Sequence, residues 1–79
     1  MRRSRGRVTL EILDLLAVQD RLKTEIVYQA NLSFTMVDRY LEKLVEGGLV
    51  AWNARTRTWY ATLAGKEAAD HLRAVGGLI

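Results

Sequence analysis

Cysteine is absent from the 79 residues, which excludes disulfides and thiolate metal sites. A single histidine, His71, excludes a His-rich metal site, and no cofactor is expected. Only two serines, Ser4 and Ser33, are present, and neither makes a plausible nucleophile with that histidine. The pair Gly47-Gly48 lacks the lysine and the spacing of a phosphate loop. Glu42 and Glu46 fall on a solvated helix face with nothing to raise a carboxyl pKa. The inventory predicts no catalytic residues, no metal and no enzymatic activity. No window approaches eighteen consecutive apolar residues, and no charged start leads into a secretory apolar core. A soluble cytoplasmic protein without a membrane partner is expected.

Hydrophobic residues make up 49% and charged residues 27%, a balance that folds rather than stays disordered. A chain this short forms one domain and buries only about 60% of its unfolded surface. Self-association is then the remaining route to reinforcement, and a homodimer is expected.

Acidic residues are missing from two stretches. Residues 1–7 hold Arg2, Arg3, Arg5 and Arg7, and residues 53–57 hold Arg55 and Arg57, with no acid in either. Together they carry +6, so the net charge of +3 leaves −3 for the remainder. Positive charge gathered in an N-terminal arm (1–7) and one loop suits a polyanion better than a uniformly basic surface would. Solvated, disordered arginines are the plain alternative.

What is present is a change of hydrophobic period along residues 8–79. Ser4 or Thr9 can start a first helix running to about Asp20, with Val8, Ile12, Leu15 and Leu16 on one face and Leu13 at its margin. Leu10, Ala17 and Val18 fall outside that arc, so this helix buries a second side, inside the domain or against a partner chain. Thr24 is a candidate N-cap with Glu25 in the first turn of a short helix ending near Ala30. Asn31 suits a left-handed turn, and Ser33 caps a third helix from Phe34 to about Glu46. Val37, Leu41, Leu44 and Val45 form its apolar face, with Tyr40 at the edge. Gly47-Gly48 stops it, and Leu49 packs back on the last turn. Leu49–Trp52 and Thr58–Ala61 then read as strands around the polar loop Asn53–Arg57. Thr62 caps a last helix to about Val75 with the stripe Leu63, Ala68, Leu72 and Val75.

A short helix, a tight turn, a longer amphipathic helix and a β-hairpin make a helix-turn-helix with a wing: mostly α, with a small hairpin. Such a third helix fits the major groove of double-stranded DNA and presents its N-terminal turn to base edges. Ser33 and the free amides beside it can hold a phosphate. Thr35 and Arg39 lie one turn apart on the exposed face, flanked by Met36 and Lys43. Arg55 and Arg57 would reach phosphates or the minor groove from the wing. The third helix is nevertheless −1 overall, since Arg39 and Lys43 meet Asp38, Glu42 and Glu46. Three readings stay open: a sequence-reading regulator, an architectural DNA protein with little sequence preference, or a fold used only for protein contacts. Trp52 and Trp59 are expected in hairpin packing rather than stacked on unpaired bases.

Asn31-Leu32-Ser33-Phe34, the run Tyr40–Val50 and Thr62-Leu63-Ala64-Gly65-Lys66-Glu67, with the arginine-rich opening, resemble a family of small archaeal winged helix-turn-helix proteins over roughly residues 3–75. The resemblance implies a DNA-binding transcription regulator or small nucleoid-associated chromatin protein, often a homodimer joined by a long C-terminal coiled coil. This last helix is too short for that. A compact interface is expected instead, with Leu72, Val75 and Ile79 meeting Leu10 or Val18 of a second chain.

Overall fold

A computed structural model of the protein describes residues 3–76. Its elements are α1 (Arg5–Val18), α2 (Lys23–Ala30), α3 (Phe34–Glu46), β1 (Val50–Asn53), β2 (Thr58–Ala61) and α4 (Leu63–Gly76).

Each helix begins where a side chain can satisfy an orphan amide. Ser4, rather than Thr9, caps α1 by accepting from the Arg7 amide at 3.1 Å. Arg5 and Arg7 therefore belong to the helix, and α1 ends at Val18, short of Asp20. Thr24 is not the cap of α2: the helix starts at Lys23, after Leu22, two residues earlier than a Thr24 cap would place it. The Glu25 carboxylate accepts from the Leu22 amide at 2.8 Å and replaces the hydroxyl contact.

Asn31 takes the left-handed conformation (φ 55°, ψ 53°), and the Leu32 amide donates back to the Val27 carbonyl at 3.0 Å. Those bonds close the turn between α2 and α3 and bury Leu32. Ser33 caps α3 as expected, accepting from the Met36 amide at 3.1 Å. At the other end Gly48 has φ 74°, a conformation a side chain would strain. The Gly48 amide there donates to Val45 and the Leu49 amide to Leu44, at 3.0 and 2.9 Å. Leu49 is thus part of the helix stop and not of β1.

Trp52 lies opposite Trp59 in the antiparallel hairpin, and Asn53 opposite Thr58. The wing tip is therefore the four residues 54–57. The Arg57 amide closes it on the Asn53 carbonyl at 2.8 Å, and Arg57 itself adopts φ 57°. The outer edge of β2 is also occupied. Arg21 and Trp59 exchange backbone hydrogen bonds of 3.0 and 2.8 Å, so the polar break after α1 is a one-residue strand.

α1 is the axis of the core. Ile12, Leu13, Val37, Ile26 and Leu41 are sealed, and each such side chain contributes about 1.5–3 kcal/mol of transfer free energy. Leu10 is also buried (8% exposed), and Leu72 packs against the same cluster. The second buried side of α1 is thus covered from within the chain, where α4 crosses it and Arg73 pairs with Asp14. Leu10, expected at a contact with a second chain, is therefore buried within its own chain, and Leu72 is half-buried there. Val45 and Leu63 also depart from the expected core, at 41% and 74% exposed. Val45 lies about 100° round the helix from the buried Leu44. On α4 the inward positions are Gly65, Ala68, Ala69 and Leu72, a face of mostly small residues that lets the helix sit close.

Candidate nucleic-acid interface

The outward face of α3 carries Thr35, Met36, Asp38, Arg39, Glu42, Lys43 and Glu46, all exposed. Its charges are sorted into rows. Asp38, Glu42 and Glu46 follow one another at intervals of four, as do Arg39 and Lys43, so each set lines its own strip of the helix. The acidic strip begins at the Asp38–Lys23 ion pair (2.5 Å), where α2 meets α3. The cationic strip borders α1. The sum of −1 therefore conceals a helix with one acidic and one basic edge.

Arg5 stands across from the basic edge. Arg5 and Thr9, one turn apart on α1, form a groove of about 260 Å³ with Met36, Arg39, Tyr40, Lys43 and Leu44 of α3. Among the described residues no carboxylate lies within 4 Å of Arg5, Arg39 or Lys43. The adjoining arginines behave differently. Arg3 pairs with Glu11 and donates to the carbonyls of Ala30 and Asn31 at 2.6 and 3.0 Å. It therefore clasps α1 to the turn before α3 instead of extending as part of an arm. Arg7 pairs with the same Glu11 at 3.7 Å. Arg2 lies outside the described residues.

Ser33 sits at the entrance to α3 with its hydroxyl oxygen engaged by the helix cap, leaving its proton to donate outward. On the wing, Arg55 and Arg57 are exposed, with no carboxylate within 4 Å among the described residues. The Arg55 amide donates to Asn53 Oδ1 at 3.0 Å, which stiffens the tip. Below it the Trp52 and Trp59 rings meet at 4.7 Å and 52°, with Trp59 against the core and Trp52 46% exposed. Of the residues expected at a dimer contact, Val18 and Val75 are exposed, whereas Ile79 lies outside the described residues. Thr9 and Tyr40 were not among the expected site residues. Tyr40's place at the edge of the α3 apolar face was the available signal.

No group of three or more potential metal ligands occurs among the described residues, and His71 is exposed on α4. No helix there is long and apolar enough to cross a membrane.

The sequence profile for winged helix-turn-helix proteins matches residues 2–79. The chain belongs to the winged helix-turn-helix family. Within that family's terms α2 and α3 are the helix-turn-helix, the β1–β2 hairpin is the wing, and α4 closes the domain. No curated protein sequence matches the chain. Among solved structures, the winged helix resembles Sso10a-2, a DNA-binding protein from Sulfolobus solfataricus, with a TM-score of 0.86 at 19% identity. The match covers 96% of this chain and 81% of that one.

Proposed function

We propose that the protein binds double-stranded DNA as a small transcription regulator, with α3 in the major groove and the wing on the adjoining backbone. The observation that carries this reading is the basic edge of α3 facing Arg5, on a winged-helix frame whose wing tip exposes Arg55 and Arg57. The DNA-binding description of Sso10a-2, which shares the fold, supports it. Thr35, Met36 and Arg39 face base edges in this arrangement; Ser33, Lys43, Arg55 and Arg57 contact phosphates. Two chains associate through Val18 and Val75 and address half-sites roughly one turn, ~34 Å, apart. The acidic strip of Asp38, Glu42 and Glu46 limits how much of α3 can approach the duplex. It favours, as a second reading, an architectural protein of low sequence preference.

The deciding measurement is fluorescence anisotropy with a random-sequence duplex across a salt series, with chain mass from light scattering. Micromolar or tighter binding with a steep salt slope is expected. No binding at low salt would overturn the DNA reading in favour of a protein-contact role.

A further inference from the structure

We infer that the groove between α1 and α3 is a phosphate clamp in which Arg5 and Lys43 grip the DNA backbone beside the base-facing Arg39. The inference rests on the DNA-binding reading and adds to it a site in which the fold brings Arg5 of α1 beside Arg39 and Lys43 of α3.

The pattern of pairing singles out this groove. Arg3 and Arg7 share the single carboxylate of Glu11, and Asp38 is paired with Lys23. Arg5, Arg39 and Lys43 converge on one hollow with no carboxylate within 4 Å among the described residues. Three like charges brought together are unfavourable in the free protein, and an anion seated between them relieves the repulsion. Met36, Leu44 and the Tyr40 ring form an apolar wall, which keeps water off one side and strengthens the field at the opening. Guanidinium and ammonium donors then meet the phosphate oxygens by charge-assisted hydrogen bonds.

Position favours a polymer over a free small molecule. The groove, about 260 Å³, lies near the lower end of the roughly 300–1,000 Å³ of drug-sized ligand pockets and has room for a phosphate group. It lies alongside the exposed face of α3, where a backbone phosphate arrives when that face meets a duplex. The acidic strip occupies the other edge of the helix, so the duplex is drawn toward α1.

The test uses the intact protein and four variants: Arg5→Gln, Lys43→Gln, the two combined, and Arg7→Gln as a control that also removes one cation. All three positions are exposed, and unchanged thermal melts would establish that the variants fold. Anisotropy with a random-sequence duplex is measured across a salt series. The combined variant should lower the slope of log affinity against log salt by about 2, each single variant by about 1, and Arg7→Gln by much less. A parent protein that binds with a steep slope while the combined variant keeps that slope overturns the clamp and leaves the DNA reading standing. An equal loss with Arg7→Gln also overturns it, since net charge and not the groove would then be responsible. A parent protein that binds no duplex at low salt removes the DNA reading and the clamp with it.

Discussion

Gly65 lies directly against the Leu49 carbonyl: a Cβ on Gly65 would stand 2.0 Å from that oxygen. The contact is held from the adjoining residue. Thr62 donates its hydroxyl proton to the Gly48 carbonyl at 2.7 Å, accepts from the Gly65 amide at 3.0 Å, and sends its own amide to Leu49 at 3.0 Å. One threonine and one glycine thus join the end of α3 to the start of α4, which gives the Thr-x-x-Gly spacing a physical cause. Gly65→Ala should destabilise the fold by about 1–3 kcal/mol through overpacking. In a domain of this size that lowers Tm by roughly 4–8 °C per kcal/mol. A melt within 2 °C of the parent, on the order of the smallest shift that scale resolves, would mean the two helices separate freely here.

The displaced cap of α2 separates two neighbouring residues. Thr24→Ala should change stability by less than about 0.5 kcal/mol, because the hydroxyl caps nothing. Glu25→Ala removes the acceptor for the Leu22 amide and should cost about 0.5–2 kcal/mol. Urea titrations of both variants check the order, and a larger loss at Thr24 would restore it as the cap.

Arg57 offers stability and binding effects of opposite sign. Its left-handed backbone (φ 57°) costs a non-glycine residue about 1–2 kcal/mol, part of which glycine recovers. Arg57→Gly should therefore raise Tm slightly while weakening DNA binding equally on every sequence. Thermal melts and anisotropy on the same sample read the two effects separately. Unchanged affinity would remove Arg57 from the interface.

Base readout is carried in this proposal by Arg39. Arg39→Ala should narrow the difference between a selected site and random DNA by about 1–3 kcal/mol. Competition titrations with both duplexes measure that difference. Equal losses on both would assign Arg39 to phosphate contact alone.

Val18 is 76% exposed at the end of α1, so its replacement leaves the monomer core intact. Val18→Asp should shift the mass in light scattering from dimer to monomer with the circular dichroism spectrum unchanged. A monomeric parent would remove the proposed dimer, and a variant that stays dimeric beside a dimeric parent would place the contact between chains elsewhere.

The element order was legible because its punctuation is local. Ser33, Asn31 and Gly47-Gly48 act on amides and carbonyls within a turn of themselves, as does the Thr62 hydroxyl toward the Gly65 amide, and each does what its residue type favours. The errors arise where a distant partner decides. The start of α2 is an exception, a local error: Leu22 rather than Thr24 precedes it because Glu25, three residues on, reaches back to the Leu22 amide. Leu10 is buried because α1 is covered on more than one side, which a single amphipathic stripe cannot express. Leu63 is exposed because the Gly65–Leu49 approach sets the rotation of α4. For the candidate site, the residues on α3 and the wing were identifiable by type and spacing. The meeting of Arg5 with Arg39 and Lys43 was not, since nothing between residues 5 and 39 encodes it in one dimension. The withdrawal of Arg3 onto the Ala30 and Asn31 carbonyls is of the same kind.

The bridge between Arg21 and Trp59 has a mechanical consequence. A wing hydrogen-bonded along only one edge can swing about its root, whereas here the central strand of the root is also anchored to the segment entering α2. The hairpin and the helix-turn-helix then move as a single caliper whose jaws, the wing tip and α3, keep a set gap. In the proposed complex the protein cannot widen that gap to suit its target, so the duplex has to supply the fit. Stretches whose groove width already matches, or that bend cheaply to it, bind preferentially even where no side chain touches a base.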